Sequence, residues 1–183
     1  WASLFQQLQS PSAGAIFNND WWQFWHEGEF DEATFFERKI TSLDCAFKGK
    51  DDSDWVVGQL WGIRGPDRYL LRQYRARLTF TETLEAHQAF IADSGAFEHI
   101  VEDKANGTAV IDVLDKTISG LLPINPTDSK AARARAVTPE IESGHVYLPA
   151  DAEWLPDFLS EMKSFDNGAH DDQVDCLTQA LTH

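Results

Sequence analysis

The sequence has 183 residues, with 15 Lys and Arg against 30 Asp and Glu, and a formal net charge of −15 at pH 7. This length is typical of a single domain with a real core, and the 43% hydrophobic and 12% aromatic content excludes a disordered acidic tail. The acidic balance argues at first against nucleic acid, because proteins that grip DNA by its phosphates usually carry a basic face.

Other sequence features exclude membrane-spanning and disulfide-rich proteins. No apolar run approaches the ~18 residues of a membrane span, and no N-terminal stretch has a signal-peptide pattern. The two cysteines, Cys45 and Cys176, are too few for a disulfide framework and predict reduced thiols in an intracellular protein. Because the chain starts at Trp1 and has Met162 as its single methionine, we expect it to be a piece of a larger protein.

Residues 1–36 are predicted to form an irregular lead-in that Pro11 and Gly14 interrupt. A segment so rich in aromatic side chains is too apolar for a free linker. We expect it to pack along the domain or against whatever precedes it, and we expect residues 37–183 to form the globular domain. The aromatic residues concerned are Trp1, Phe5, Phe17, Trp21, Trp22, Phe24, Trp25, Phe30, Phe35 and Phe36.

Three antiparallel strands are predicted at the start of the globular domain. Loose alternation of apolar and polar residues in RKITSLDCAF indicates the first strand, and DWVVGQLWGIRG is rich in residues that favour strands. The turn signal Gly65-Pro66-Asp67 separates the second and third strands at hairpin distance. The predicted strands are 38–46, 54–63 and 68–78.

Beyond these strands, helices and short strands alternate. The stretch from Thr79 to about Asp93 suits a helix, with Thr79 or Thr81 as its cap. The later strands are HIVED, LLPINP and HVYLP, and the later helices run from Asn106 to Gly120, from Ser129 to Ser143, in WLPDFLSEMKSF and in DDQVDCLTQALTH. The order β-β-β-α-β-α-β-α-β-α-α predicts an α/β protein with a mixed central sheet and flanking helices, which is the order expected of a ribonuclease H-like fold.

Carboxylates stand at the ends of predicted strands and at the start of the last helix. Asp44 lies in the apolar run of the first strand, where a carboxylate is costly to bury unless it is paired or binds a metal. Glu102 closes the strand HIVED, and Asp171, Asp172 and Asp175 open the last helix. In a ribonuclease H-like sheet the first strand neighbours the fourth and the last helix starts at the same edge, so we expect these carboxylates to converge on one cleft.

Oxygen-rich ligand sets of this kind favour Mg²⁺ or Mn²⁺ over zinc. Two such ions about 3.5–4 Å apart stabilise the attacking and leaving oxygens of a phosphodiester. We predict that Asp44 bridges two ions, that Glu102 holds one of them, and that Asp172 or Asp171 holds the other. No protein nucleophile is then needed.

Each carboxylate also has an ordinary structural explanation. The alternative for Asp44 is a hydrogen-bonded aspartate at a strand end, and the alternative for Glu102 is a solvated carboxylate at a strand end. Asp171 suits the N-cap of the last helix, and Asp175 suits a first-turn acid favoured by the helix dipole.

Three segments resemble a known family. SLDCAFKGKDDSDWVVGQLWG, VEDKANG and NGAHDDQVDCLTQAL occur in the order found in the C-terminal nuclease domain of the large terminase subunit of tailed bacteriophages. The resemblance covers about residues 14–183, and three separated motifs in register make it specific. It implies a ribonuclease H-like fold of the RuvC resolvase type, with the metal-binding acids at Asp44, Glu102 and Asp171 or Asp172, and with Asp175 open as an additional ligand.

The resemblance also implies a function and partners. It implies a metal-dependent endonuclease that cuts concatemeric viral double-stranded DNA during genome packaging, in the host bacterial cytoplasm and transiently at the procapsid portal. Full-length members carry an N-terminal ATPase with a GxxxxGK[ST] loop, and no such pattern occurs here, so we expect no ATPase activity from this chain and interpret 1–36 as the segment joining it to that domain. The implied partners are double-stranded DNA, the ATPase domain, the small terminase subunit and the portal protein, with no membrane.

Basic residues are few, but several lie near the predicted cleft. Lys48, Lys50 and Lys104 closely follow predicted metal ligands along the chain, and we predict that they hold DNA phosphates. Arg75 and Arg77 project to one face of the third strand, and we predict that they belong to a DNA-guiding hairpin whose arginines lie within residues 64–77. Ordinary solvated side chains are the alternative in both cases.

Two other functions fit the same sequence. One is another ribonuclease H-like phosphodiesterase, such as a resolvase or an RNase. The other is a catalytically silent module that docks on the motor or the portal. Part of the charge of −15 belongs to the predicted metal site, where bound cations reverse the local sign, and the remainder predicts weak, salt-sensitive DNA binding by the isolated domain.

Overall fold

The computed structural model describes residues 15–45, 55–104 and 106–183, and within these ranges the chain forms seven strands and six α-helices. The strands are β1 (Gln23–Trp25), β2 (Arg38–Cys45), β3 (Val56–Arg64), β4 (Asp67–Ala76), β5 (Glu98–Glu102), β6 (Leu121–Ile124) and β7 (Val146–Pro149). The helices are α1 (Glu32–Phe35), α2 (Phe80–Ala92), α3 (Asn106–Leu114), α4 (Lys130–Glu142), α5 (Leu155–Ser164) and α6 (Asp172–Thr182).

All seven strands belong to one mixed sheet, in the order β1-β7-β4-β3-β2-β5-β6. β2, β3 and β4 form the predicted antiparallel meander, and β5 and β6 continue the sheet in parallel beside β2. β7 crosses to the other side and runs parallel to β4. The predicted α/β architecture, a mixed sheet with flanking helices, is confirmed.

Side chains alternate along β2 between two differently covered faces of the sheet. Ile40 packs in the core cluster that also contains Val137 of α4, Phe158 of α5 and Leu177 of α6. Leu43 packs instead with residues of α3. Because successive side chains of a strand point to opposite faces, Asp44, which follows Leu43, lies on the same face as Ile40 and is directed toward α6.

Local signals set several helix ends. Thr79 and Glu82 form a reciprocal capping box at the start of α2, and Ser129 caps α4. Gly144 follows α4 with a φ of +79°, a conformation that glycine adopts without strain. The predicted helix that was to end at Gly120 stops earlier as an α-helix, at the end of α3.

The described part of the aromatic lead-in packs on the domain. Phe17 and Trp22 are buried, with ring contacts to Phe165 and to Phe158 of α5 respectively. The expectation of an irregular segment missed β1, which pairs in parallel with β7 at the sheet edge, and the short helix α1. The division of the chain at residue 36 stays a prediction.

Both cysteines are buried free thiols. In the described ranges, the helices are too short or too polar to span a lipid bilayer.

Candidate metal centre

Strand register brings Asp44 and Glu102 to the same edge of the sheet. β2 and β5 run parallel with Leu43 opposite Val101, so the residues that follow, Asp44 and Glu102, lie side by side at the ends of the two strands. Gln179 on α6 donates a hydrogen bond of 3.2 Å to Glu102 Oε2, which places this carboxylate on the α6 face. The two predicted ligands are therefore neighbours on one face.

Helix α6 is fixed across β2 by buried polar contacts. Ser42 Oγ donates to the carbonyl oxygen of Cys176 at 2.9 Å, and Cys176 Sγ donates to the carbonyl oxygen of Ser42 at 3.1 Å. This docking carries the first turn of α6 to the edge where Asp44 lies. Asp172 and Asp175, spaced three residues apart on that turn, are 7% and 3% exposed.

The carboxylates disfavour one another's ionisation. Burial raises the pKa of Asp44 well above its usual value, and the charges of Asp175, Glu102 and Asp172 raise it further. Burial also raises the pKa of Asp175, although its contacts with Lys130 act in the opposite direction. Negative charges gathered so closely need a positive counter-charge to stay ionised at neutral pH.

Two basic side chains of α4 supply part of this counter-charge. Lys130 Nζ lies 2.7 Å from Asp171 Oδ2 and 2.5 Å from Asp175 Oδ2. Arg133 Nη2 lies 2.5 Å from Asp175 Oδ1 and 3.9 Å from Glu102 Oε2. Burial lowers the pKa of Lys130, but its hydrogen bonds to the two aspartates outweigh burial and raise that pKa above its usual value. Lys130 and Arg133 thus hold carboxylates of β5 and α6 in one cluster.

The α6 aspartates differ in their relation to Asp44. Asp175 is its strongest electrostatic neighbour, and Asp172 is a weaker one. Asp171 occupies the N-cap position but makes no capping hydrogen bond, and its partly exposed carboxylate turns to Lys130 instead. Asp171 therefore does not cap α6 with its side chain, which was the structural alternative for this residue.

Asp172 lies in a second, mixed-charge environment. Burial raises its pKa to about 6, Glu161 and Asp171 raise it as well, and Arg75 lowers it. Arg75 Nη2 and His170 Nδ1 each lie 3.9 Å from Asp172 Oδ2. Asp172 therefore joins the carboxylate cluster to the Arg75 side of the cleft.

The donor set suits a hard divalent cation in its chemistry. Asp44, Glu102, Asp172 and Asp175 offer carboxylate oxygens alone, which Mg²⁺ and Mn²⁺ prefer, and their mutual repulsion favours any added positive charge. As the side chains stand, no three Asp, Glu, His or Cys groups among the described residues form a ready cage for an ion. In this arrangement the basic side chains of α4 take the carboxylate oxygens instead.

The predicted DNA-binding lysines are only partly described. Lys48 and Lys50 lie outside the described residues. The side chain of Lys104 is 45% exposed, and its Nζ lies 3.6 Å from Glu102 Oε1. Lys104 therefore stands at the rim of the carboxylate cluster.

Arg75, on β4, and Arg77, just beyond its end, both lie over the ring of Trp55 but have different surroundings. Their guanidinium carbons lie 4.5 Å and 4.9 Å from the ring centre of Trp55. Arg77 is exposed, whereas Arg75 is largely buried, with Nη2 3.2 Å from Glu161 Oε2. Arg75 is therefore less accessible than Arg77, because its charge is paired inside the domain, and its contact with DNA stays a prediction.

Other arginines of the predicted DNA-guiding hairpin also contact the domain itself. Arg64 stacks on Phe35, with its guanidinium carbon 4.1 Å from the ring centre. Arg68 pairs with Glu140 at 3.6 Å, and Arg72 pairs with acidic side chains of α1 and of the turn after α2. Arg64 and Arg77 are therefore the exposed arginines of this hairpin.

Sequence reasoning missed three residues of the site: Glu161, Lys130 and Arg133. Lys130 and Arg133 are three residues apart, so the sequence indicates that they share a face of α4, but it does not indicate which acidic side chains they contact. Glu161 lies three residues after the buried Phe158, on the inner stripe of α5, and this spacing was the available signal.

Solved structures of phage large terminases share this fold. The large terminase nuclease of thermophilic phage G20c with bound cobalt superposes with a TM-score of 0.70 at 17% identity, over 94% of this chain and 99% of that one. The same nuclease with bound magnesium gives a TM-score of 0.69 at 17% identity over the same shares. The large terminase of a second thermophilic bacteriophage gives 0.68 at 16% identity, over 91% of this chain and 44% of its own. This chain therefore spans less than half the length of that large terminase.

A search of curated proteins returns no match. The model of the terminase RNaseH-like domain matches residues 41–183, from within β2 to the end of α6, and so includes every carboxylate of the cluster. The resemblance drawn from the sequence motifs and the ribonuclease H-like fold are confirmed. The chain belongs to the terminase RNaseH-like domain family.

Proposed function

We propose that this domain is a metal-dependent endonuclease that cuts concatemeric viral double-stranded DNA during genome packaging. The observation that carries the proposal is the convergence of Asp44, Glu102 and Asp175, from three separate elements, in a chain of the terminase family. Gathering partly buried carboxylates opposes folding unless a positive charge joins them. Such a cluster is expected where a cation is part of the working state.

Asp44, Glu102, Asp172 and Asp175 are the residues that would hold the divalent cations, and we propose a pair of Mg²⁺ or Mn²⁺ ions. When bound, such ions activate water and offset the charge that develops on the phosphodiester. Asp44 would be the central ligand of this set, because the charges of the other three carboxylates all act on its carboxyl. Asp171 is left to orient Lys130 at the entrance of the cluster.

Neither cysteine is assigned a chemical role. Burial raises the pKa of Cys45 to about 12, and burial also raises the pKa of Cys176 well above its usual value. A thiol that stays protonated at neutral pH is a poor nucleophile. Hydrolysis without a covalent enzyme intermediate is therefore the proposed reaction.

DNA binding is assigned to basic side chains around the cluster. Lys104 and Arg77 are the exposed candidates among the described residues, and Lys48 and Lys50 remain predictions. A domain with a net charge of −15 is expected to hold DNA weakly and to lose it readily as salt rises. We propose that an ATPase domain of the same large subunit delivers the DNA.

The proposed setting is a large terminase acting in the host bacterial cytoplasm and transiently at the procapsid portal. The small terminase subunit and the portal protein are the proposed protein partners, together with the ATPase domain. Family membership over residues 41–183 supports this setting.

A plasmid assay tests the proposal. The purified domain is incubated with supercoiled plasmid and Mn²⁺ or Mg²⁺, with and without EDTA, beside Asp44→Asn and Asp103→Asn. Asp103 is the matched control, because it is adjacent to Glu102 but accepts a 2.7 Å hydrogen bond from Thr108 instead of joining the cluster.

We expect metal-dependent cutting by the native domain and by Asp103→Asn, and none by Asp44→Asn or in EDTA. Equal cutting by the native domain and Asp44→Asn, or cutting by neither, would refute the proposal. Preference for branched DNA or for an RNA–DNA hybrid would point to the resolvase or RNase alternative. A domain that cuts nothing but binds the motor or the portal would be a docking module.

A further inference from the structure

Glu161 is a buried carboxylate that no part of the proposed reaction uses. It lies on α5, is 6% exposed, and points at the first turn of α6. Its Oε1 accepts hydrogen bonds from the backbone N–H of Gln173 at 2.7 Å and of Val174 at 3.3 Å. Its Oε2 accepts a hydrogen bond from Gln173 Nε2 at 2.7 Å.

These contacts make Glu161 the cap of α6. The first N–H groups of a helix lack partners within the helix, and an N-cap side chain usually accepts from the second or third of them. Asp171, at the N-cap position of α6, makes no such bond and turns to Lys130. Glu161 instead satisfies the N–H groups of Gln173 and Val174 from a different helix.

The same carboxylate is tied to the sheet beneath. Gln173 Oε1 accepts a hydrogen bond from Gln73 of β4 at 2.7 Å, and Gln73 accepts one from Gln59 of β3 at 2.8 Å. Arg75 of β4 pairs with Glu161 Oε2 at 3.2 Å. The start of α6 is thereby locked to two strands and to α5 by one connected set of buried polar groups.

Gln173 and Val174 are the two residues between Asp172 and Asp175. Fixing their N–H groups fixes the backbone from which both aspartates project. We propose that Glu161 is a positioning residue of the metal centre, which holds the first turn of α6 so that Asp172 and Asp175 face Asp44. This inference rests on the proposed function, because it takes these aspartates to be ligands.

Groups that orient metal ligands typically change metal affinity by about 10–100-fold when they are replaced. We therefore expect Glu161→Gln, which keeps the shape of the side chain but removes its charge, to weaken Mn²⁺ binding at least about tenfold. The matched control is Glu140→Gln. Glu140 is also a carboxylate paired with an arginine of β4, but it lies near the C-terminal end of α4, whereas Lys130 and Arg133 lie near the N-terminal end.

The measurement is the Mn²⁺ dissociation constant of each protein without DNA, by calorimetric titration well below every unfolding temperature. Native domain and Asp44→Asn are titrated alongside, and hydrogen exchange is followed at the amides of Gln173 and Val174. Tighter Mn²⁺ binding by the native domain and by Glu140→Gln than by Glu161→Gln, with faster exchange at the two amides in the latter, supports the proposal.

A dissociation constant for Glu161→Gln within about twofold of native would overturn the positioning role, even if the unfolding temperature fell, and would leave the proposed nuclease function standing. Equal and negligible Mn²⁺ binding by the native domain and Asp44→Asn would refute the metal centre and this inference together. If Glu161→Gln does not fold, the charge-balanced pair Glu161→Gln and Arg75→Gln replaces it, with the same tenfold expectation and the same overturning result.

Discussion

Replacing Asp172 with asparagine is expected to stabilise the metal-free domain at neutral pH. Asp172 is 7% exposed, and its pKa in the folded protein is raised to about 6, against an ordinary 3.8. At pH 7 the carboxylate is ionised in both folded and unfolded chains, so the folded state carries the cost of keeping this charge away from water. Asparagine has nearly the same shape and removes the charge.

The size of this pKa shift sets the expected gain in stability, and its sign sets how the gain changes with pH. Each pKa unit corresponds to about 1.4 kcal/mol, so a rise of about two units predicts a gain of about 3 kcal/mol for Asp172→Asn at pH 7. A carboxyl whose pKa is raised on folding contributes stability below its unfolded pKa, and that stability is lost as the pH rises through the folded pKa. The advantage of the variant should therefore shrink to about half at pH 5 and to about a fifth at pH 4.

Urea unfolding in EDTA at pH 7.5 and pH 5 measures this difference. Asp112→Asn is the control, because Asp112 is exposed on α3 and its replacement should change the free energy of unfolding by less than about 0.5 kcal/mol. Mn²⁺ should stabilise the native domain by mass action and leave Asp172→Asn less affected. An Asp172→Asn variant that is destabilised at pH 7.5, or whose effect is the same at both pH values, would contradict the reasoning.

Two further changes follow from the geometry around the carboxylates. A Cβ at Gly107 would meet the carbonyl oxygen of Glu102 at a distance far below van der Waals contact, so Gly107→Ala should lower the free energy of unfolding by roughly 1–3 kcal/mol and weaken Mn²⁺ binding. Thr108→Ala, at the next residue, should do neither. A Gly107→Ala variant with native stability and Mn²⁺ affinity would show that the position of Glu102 is not required. Lys104→Ala should lower the salt slope of DNA binding by about one unit, and Lys116→Ala, in the connection between α3 and β6, should leave it unchanged. Equal slopes for both variants would remove Lys104 from the DNA surface.

Much of the fold was predictable because its signals are local. The turn signal Gly65-Pro66-Asp67 separates β3 from β4, and Thr79, Ser129 and Gly144 carry recognisable helix-end signals. β1 was missed because three residues carry no readable period, and this strand exists through its pairing with β7.

The site was predictable only in part, for a physical reason. Asp44 stands out in the sequence because a carboxylate inside an apolar strand is costly to bury unless it is paired or binds a metal. The sequence pattern predicts a DNA contact for Arg75 and indicates no role for Glu161, and only the folded arrangement of β4 and α5 pairs the two side chains inside the protein. Partner choice across the fold is a tertiary property, which the spacing of residues along one element does not encode.

Anomalous scattering from crystals of the domain soaked in Mn²⁺ tests the central claim most directly. We expect anomalous difference peaks within coordination distance of Asp44, with Glu102 on one side and an α6 aspartate, Asp172 or Asp175, on the other. We expect no peak in crystals of Asp44→Asn. Peaks that avoid Asp44, or that persist unchanged in Asp44→Asn, would contradict the assignment of the metal centre.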